Sequence, residues 1–217
     1  MPELRGLIVD WGGVMTTALR ECMASFCARD GIDYAVFTSV MREWLGPAGE
    51  ASLAGNPAHE LERGEVAVSD FEQALAARLS TPTSRVEPKG LLTRMFSGFD
   101  SDPGMVGVVR RAKRAGVRTA LCSNSWGNEY PRSGWPELFD AVVISGEVGM
   151  RKPERRIYLL TAERLGLPPE QCVFVDDLGP NVRGAVDAGM VGVRHVSAEQ
   201  TAAELEALLG VALAESG

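Results

Sequence analysis

Five short apolar runs constrain this chain more than any other feature: Leu4 to Asp10, Val117 to Cys122, Ala141 to Ile144, Cys172 to Asp176 and Val191 to Val196. Each is too short for a helix, and each is apolar nearly throughout, the pattern of strands buried on both faces. Helical patterns lie between most of them. Pro103 to Ala115 follows Asp102 and stops at Gly116, and Glu154 to Leu165 stops at Gly166. Strand alternating with helix predicts a parallel α/β sheet. A last helix opens with Ser197 and Gln200 in capping-box spacing and runs to about Leu209, before a soft tail.

Residues from about 18 to 88 break the alternation. They read as helices over Leu19 to Arg29, Tyr34 to Leu45, and Asp70 to Leu79 behind Ser69, with no strand. The chain is therefore expected to be a Rossmann-like core, residues 1–17 and 89–217, with a helical cap of residues 18–88 inserted after the first strand. Hinges are expected near Thr16-Thr17 and Ser84 to Lys89. A Gly/Ala/Pro loop from Gly46 to Pro57 lies inside the cap, and Ser80 to Ser84 marks its exit.

A net charge of −7 disfavours non-specific binding to nucleic acid or an anionic membrane. No apolar stretch approaches the roughly 20 residues of a membrane span. The opening residues lack the basic start and apolar core of a secretory signal, so a cytoplasmic protein is expected. Cys22, Cys27, Cys122 and Cys172 form no CxxC pair, and His59 and His195 are the only histidines, which leaves little material for a zinc site. Oligomeric state is not legible.

In open α/β sheets, ligands gather beyond the carboxyl ends of the strands. Four such ends carry polar groups: Asp10, Ser123-Asn124-Ser125, Arg151-Lys152-Pro153 and Asp176-Asp177. Displacement at a phosphate needs a nucleophile, a cation for the phosphoryl oxygens, hydrogen-bond donors, and hard oxygens around a metal. Each part has a candidate here. Asp10 can attack phosphorus. Asp10 and Asp177, with a backbone carbonyl, can hold Mg²⁺, while Asp176 and Asn181 orient ligands and water. Ser123 and nearby amides, Asn124 among them, can bind phosphate, and Lys152 can balance the charge.

The segments D-W-G-G-V, L-C-S-N-S-W, G-M-R-K-P-E and V-F-V-D-D-L-G-P-N-V, in that order, resemble the four motifs of haloacid dehalogenase-like hydrolases. Within that superfamily the chain is similar to the phosphatase-like N-terminal domain of soluble epoxide hydrolases, through I-S-G-E-V-G-M-R-K-P-E-R-R-I-Y and D-A-G-M-V. The resemblance covers essentially the whole chain, the cap loosely. It implies catalytic roles at Asp10, Ser123, Lys152 and Asp177, a Mg²⁺ cofactor and a small-molecule phosphate substrate. Most phosphatases of the group carry a second aspartate two residues after the nucleophile, where this chain has Gly12. That position can still offer its carbonyl to the metal, and a glycine there resembles a recurring minority pattern of the epoxide-hydrolase-like branch.

Blander readings stand beside these. Asp176-Asp177 can be a solvated turn, Lys152 a surface lysine, and Ser123 a turn residue. Gly13 reads as a tight turn, His59 as part of a solvated helix near Glu62 to Glu65, and His195 as structural. Trp11, Trp126 and Trp135 read as packing residues. Two other functions fit the same residues, a metal-independent 2-haloacid dehalogenase and a catalytically silent binding or regulatory protein. Two adjacent carboxylates repel each other unless a cation or donors compensate them, which favours the metal-dependent phosphatase.

Overall fold

A computed structural model describes residues 3–17, 19–45, 55–127 and 129–213. Most of the expected Gly46 to Pro57 loop, residue 18 at the expected start of the cap, and the last four residues lie outside the described residues. The elements in chain order are β1 (Gly6–Val9), α1 (Leu19–Asp30), α2 (Tyr34–Leu45), α3 (Pro57–Glu62), α4 (Val68–Leu79), α5 (Leu91–Phe96), α6 (Pro103–Arg114) and β2 (Arg118–Ser123). They continue with α7 (Trp135–Leu138), β3 (Ala141–Ile144), α8 (Ser145–Val148), α9 (Arg155–Leu165), β4 (Cys172–Asp176), α10 (Gly179–Asp187), β5 (Val191–Arg194) and α11 (Ala198–Leu209).

The five apolar runs form one parallel sheet in the order β3-β2-β1-β4-β5. Side chains alternate across a strand, so each run feeds two cores. Leu7 and Val9 of β1 join Leu121, Val175, Met105 and Leu205 on one face. Ile8 joins Ala120, Phe174, Ile157 and Ala185 on the other. Both faces are covered, which is why no strand has a polar side to show.

A third apolar cluster lies in the cap, built around Phe26, Phe37, Trp44, Leu61, Phe71 and Leu75. It also contains Leu91, Leu92 and Met95 of α5. Glu72 of α4 accepts hydrogen bonds from Gly90 N at 3.1 Å and Leu92 N at 2.9 Å, which ties the start of α5 to α4. Residues 90–95, just past the hinge expected at Ser84 to Lys89, thus pack with the helices of the inserted region. The chain's two crossings pair further on, through the Thr16–Ser101 bridge and the bonds Thr17 N to Asp100 O and Asp102 N to Met15 O, each 2.9 Å.

Candidate active site

The four polar strand ends converge. Asp10 follows β1 and is still held in the sheet by its N–H, which donates to Val175 O at 2.9 Å. Lys152, fully buried, reaches Asp10 Oδ1 and Asp176 Oδ2 with Nζ at 2.7 Å each. Asn124 holds the lysine loop in place: its Oδ1 accepts from Lys152 N at 2.8 Å and its Nδ2 donates to Lys152 O at 3.1 Å. Its carboxamide is thus engaged by the protein, although Asn124 still lines the cavity. Asn181 likewise donates Nδ2 to both oxygens of Asp176 at 3.1 Å, and Tyr158 OH donates to Asn181 O at 2.8 Å. Ser123 ends β2, with its Oγ 3.0 Å from Tyr130 OH.

The two acidic neighbours differ in their surroundings. Asp176 has no exposed surface, and protein donors meet it: Lys152 Nζ, Leu178 N at 2.8 Å, and Asn181 Nδ2. Asp177 Oδ1 is buried with no hydrogen-bond partner. Carboxylate oxygens of Asp10, Asp176 and Asp177 lie within 4.8 Å of one another. Burial pushes the Asp10 carboxyl up to about 7, against the pull of Lys152 and with a further push from Asp176 and Asp177. Burial, then the Asp176 charge, pushes Asp177 up to about 6. Burial alone would lower the Lys152 ammonium, but Asp10 and Asp176 hold it well above its ordinary value. One ammonium among three carboxylates leaves negative charge uncompensated, and Asp177 offers a hard oxygen with no donor. The residues fit a hard divalent cation held by Asp10 and Asp177.

The glycines after Asp10 have different duties. Gly13 has φ +77°, and a Cβ there would stand 2.8 Å from Asp177 Oδ2, so only glycine allows the approach of the two loops. Gly12 is outside the left-handed region, and a Cβ on it would meet only Leu19 Cδ2 at 3.9 Å. His59 is not on a solvated surface as expected. It is buried on the inner face of α3 with Ala58, Leu61 and Glu62, and it lines the cavity. His195, expected to be structural, also lines the cavity; its backbone N–H donates to Asp176 O at 3.0 Å, and its Nδ1 is 2.9 Å from Thr201 Oγ1. Trp11 packs on Trp135 at 5.2 Å between ring centres, and Trp126 packs in the cap cluster.

A cavity of about 1210 Å³ opens over these groups. Its floor is Asp10, Gly12, Ser123, Lys152 and Asp177, and its far wall comes from the cap, where Met23, Phe37, Met41, Met95 and Phe96 stand beside Arg20, Arg42 and His59. Sequence reasoning missed this wall, along with Tyr130 and the pair Glu62–Arg151. The wall's apolar residues are ordinary helix-core residues by pattern, and only the docking of the cap turns them to a ligand.

A model of the haloacid dehalogenase-like hydrolases matches residues 4–189. Glyceraldehyde 3-phosphate phosphatase of Methanopyrus kandleri is 42% identical over 83 residues, 38% of this chain and 35% of that protein. Bifunctional epoxide hydrolase 2 of Rattus norvegicus is 24% identical over 194 residues, 81% of this chain and 34% of that protein. The chain thus spans about a third of the length of these two relatives. A HAD family enzyme from Bacteroides thetaiotaomicron, solved with magnesium and inorganic phosphate, superposes with a TM-score of 0.63 at 20% identity, covering 89% of this chain and 94% of that one. Dehalogenases share the same fold. With the family model spanning most of its length and the strand-end residues gathered at one site, the chain belongs to the haloacid dehalogenase-like hydrolases.

Proposed function

We propose that this hydrolase is a magnesium-dependent phosphatase that acts on an organic phosphate through an aspartyl-phosphate on Asp10. The observation that carries the reading is the pairing of Lys152 with Asp10 and Asp176 beside the partnerless buried oxygen of Asp177. Asp10 attacks phosphorus and the ester oxygen departs, and water then hydrolyses the acyl phosphate, returning the carboxylate and releasing phosphate. Lys152 neutralises charge on the nucleophile and the transferring group, and Ser123 donates to a phosphoryl oxygen. Asp176 keeps Lys152 aimed, and Asn124 and Asn181 hold that arrangement from either side. Mg²⁺, held by Asp10, Asp177 and the Gly12 carbonyl, would supply charge neutralisation at the phosphoryl oxygens. The cap side offers apolar surface from Met23, Phe37, Met41, Met95 and Phe96 beside Arg20 and Arg42, room for an organic part larger than the small phosphate expected from the motifs alone.

The test is a screen of acyl, aryl, sugar and lipid phosphates with Mg²⁺ and with chelator. Phosphate release that chelator abolishes and Mg²⁺ restores is expected. Halide release from a 2-haloacid in chelator, with no phosphate release from any ester, would replace this reading with dehalogenation. No turnover of either kind would favour a binding protein. The acidic site argues against both, since a metal-free reaction leaves the charge of Asp177 unanswered.

A further inference from the structure

We propose that Glu62 is a positioning residue: one buried cap carboxylate that gathers the two core loops carrying Ser123 and Lys152, and so couples cap docking to assembly of the phosphate cradle. Glu62 is the last residue of α3 and is 4% exposed. Its Oε1 accepts from Trp126 Nε1 at 2.9 Å, and its Oε2 accepts from Arg151 Nε. Trp126 stands three residues past Ser123, and Arg151 immediately precedes Lys152. Both donors therefore belong to the loops that bear the expected phosphate ligands, and the acceptor belongs to the cap.

A buried carboxylate is costly without donors, and here both come from across the seam. Undocking α3 would leave Glu62 and Arg151 without each other, so the docked state is favoured by the same bonds that fix the loops. A backbone approach sets α3 at this distance: Gly64, at φ +73°, comes so close to Gly146 that a Cβ would stand 2.9 Å from its carbonyl oxygen. The Arg63 Nη1–Glu154 Oε1 pair, at 3.2 Å and more exposed, crosses the same seam without touching either loop's phosphate ligands. Trp126 adds a mechanical link, since its ring lies 5.3 Å from Phe71 and 6.4 Å from Phe96 within the cap cluster. The direct tie between the loops is the Asn124–Lys152 pair, and Glu62 forms a second tie above it that exists only with the cap in place.

The kinetic half of this inference rests on the phosphatase reading, and the structural half does not. The test uses the full chain with Mg²⁺ and p-nitrophenyl phosphate, together with the Trp126 Nε1–H resonance, assigned by its loss in Trp126→Phe. Glu62→Gln, which keeps shape and removes charge, is expected to shift that resonance and lower kcat/KM about tenfold or more, as misplaced loops do. Arg151→Gln should reproduce both effects, and the double variant should be no worse than the poorer single one, because one interaction is lost in all three. Arg63→Ala, at the more exposed pair, should leave both readouts within about twofold of wild type. Should Glu62→Gln fold poorly, Trp126→Phe, which removes one donor, carries the kinetic arm with an expected fall of about threefold or more. An unmoved indole resonance in Glu62→Gln, losses that multiply in the double variant, or equal damage from Arg63→Ala would each overturn the proposal. A wild type with no phosphatase activity but with the expected indole shifts would sink the functional reading and leave the coupling standing.

Discussion

The two walls of the cavity differ in how their groups are held. On the core side stand Asp10, Lys152 and Asp177, with Asp176 buried behind Lys152; Asp10 and Asp176 sit at strand ends, and Lys152 sits in the turn before α9. On the cap side helices present Met23, Phe37, Met41, Met95 and Phe96 together with Arg20, Arg42 and His59, and no metal-binding cluster among the described residues. A strand end fixes its side chain through sheet hydrogen bonds on both sides, which suits groups that must be held to a fraction of an ångström. Helical Met side chains adapt to what they touch. On the proposed function, this contrast assigns the reaction to the core and the choice of substrate to the cap.

The largest effect should come from the core and should be blind to substrate. Asp10→Asn is expected to lower kcat by roughly 10⁴-fold or more for every phosphate turned over, as loss of a covalent nucleophile does. Phosphate release across the screened series measures it. A loss confined to some substrates would mean that the division between the two walls is drawn in the wrong place.

Next comes stability. Lys152→Met removes the one cation buried against Asp10 and Asp176, and stranding buried charges costs about 3–5 kcal/mol. Urea unfolding in chelator should show that loss, and Mg²⁺ should recover part of it. Arg78→Ala in the cap, which breaks an exposed pair with Glu43, should leave the unfolding midpoint almost unmoved. Comparable shifts from the two variants would mean that the core charges are better solvated than their burial implies.

This division also explains what could be read from the sequence. The sheet was legible because strands buried on both faces cannot hide: β3 and β4 match the apolar runs residue for residue. Asp10 and Asp176 were legible because a charge at the end of an apolar run is chemically anomalous, and Lys152 because it lies in the motif G-M-R-K-P-E. In the cap, α3 was given no bounds, only a helix around His59 beyond the Gly/Ala/Pro loop, although Asn56 before Pro57 was a readable start, with its side chain accepting from Ala58 N and His59 N. The short α5 has no side-chain N-cap of its own and begins after the left-handed Gly90. Its helix depends on Glu72, eighteen or more residues earlier, a tertiary contact that no local pattern encodes. The start of α4 at Val68, ahead of Ser69, is a smaller miss of the same kind.

The cap's side of the comparison predicts an effect on choice without an effect on chemistry. Met41→Asp replaces one of the wall's apolar side chains by a charge, and it should raise KM for an aryl or lipid phosphate about tenfold, since burying apolar surface against a carboxylate forfeits on the order of 1–2 kcal/mol. Acetyl phosphate, too small to reach the wall from Asp10, should keep its kcat/KM within about twofold. Equal losses on both substrates would mean that the wall supports the site's geometry and does not sort ligands.

The smallest effect is expected at the seam itself. Gly12 belongs to the core loop after Asp10, yet the space where its side chain would begin faces Leu19 of α1, in the cap. An aspartate there would protonate the departing alkoxide and then deprotonate the water that opens the aspartyl-phosphate. On the proposed mechanism its absence favours leaving groups that need no proton, so acyl and aryl phosphates should outrun alkyl and sugar phosphates. The backbone tolerates a side chain, because φ is unexceptional and the single near contact, 3.9 Å, is ordinary. Gly12→Asp should therefore fold and should accelerate alkyl phosphates by about tenfold, short of the 10²–10⁴ of a tuned general acid. Aryl and acyl phosphates should gain less. Rapid-quench measurement over a matched ester series separates the outcomes: a rate flat across leaving groups in the wild type, with chemistry limiting, would show that a proton already arrives from elsewhere in the cavity, and Gly12→Asp would then add nothing.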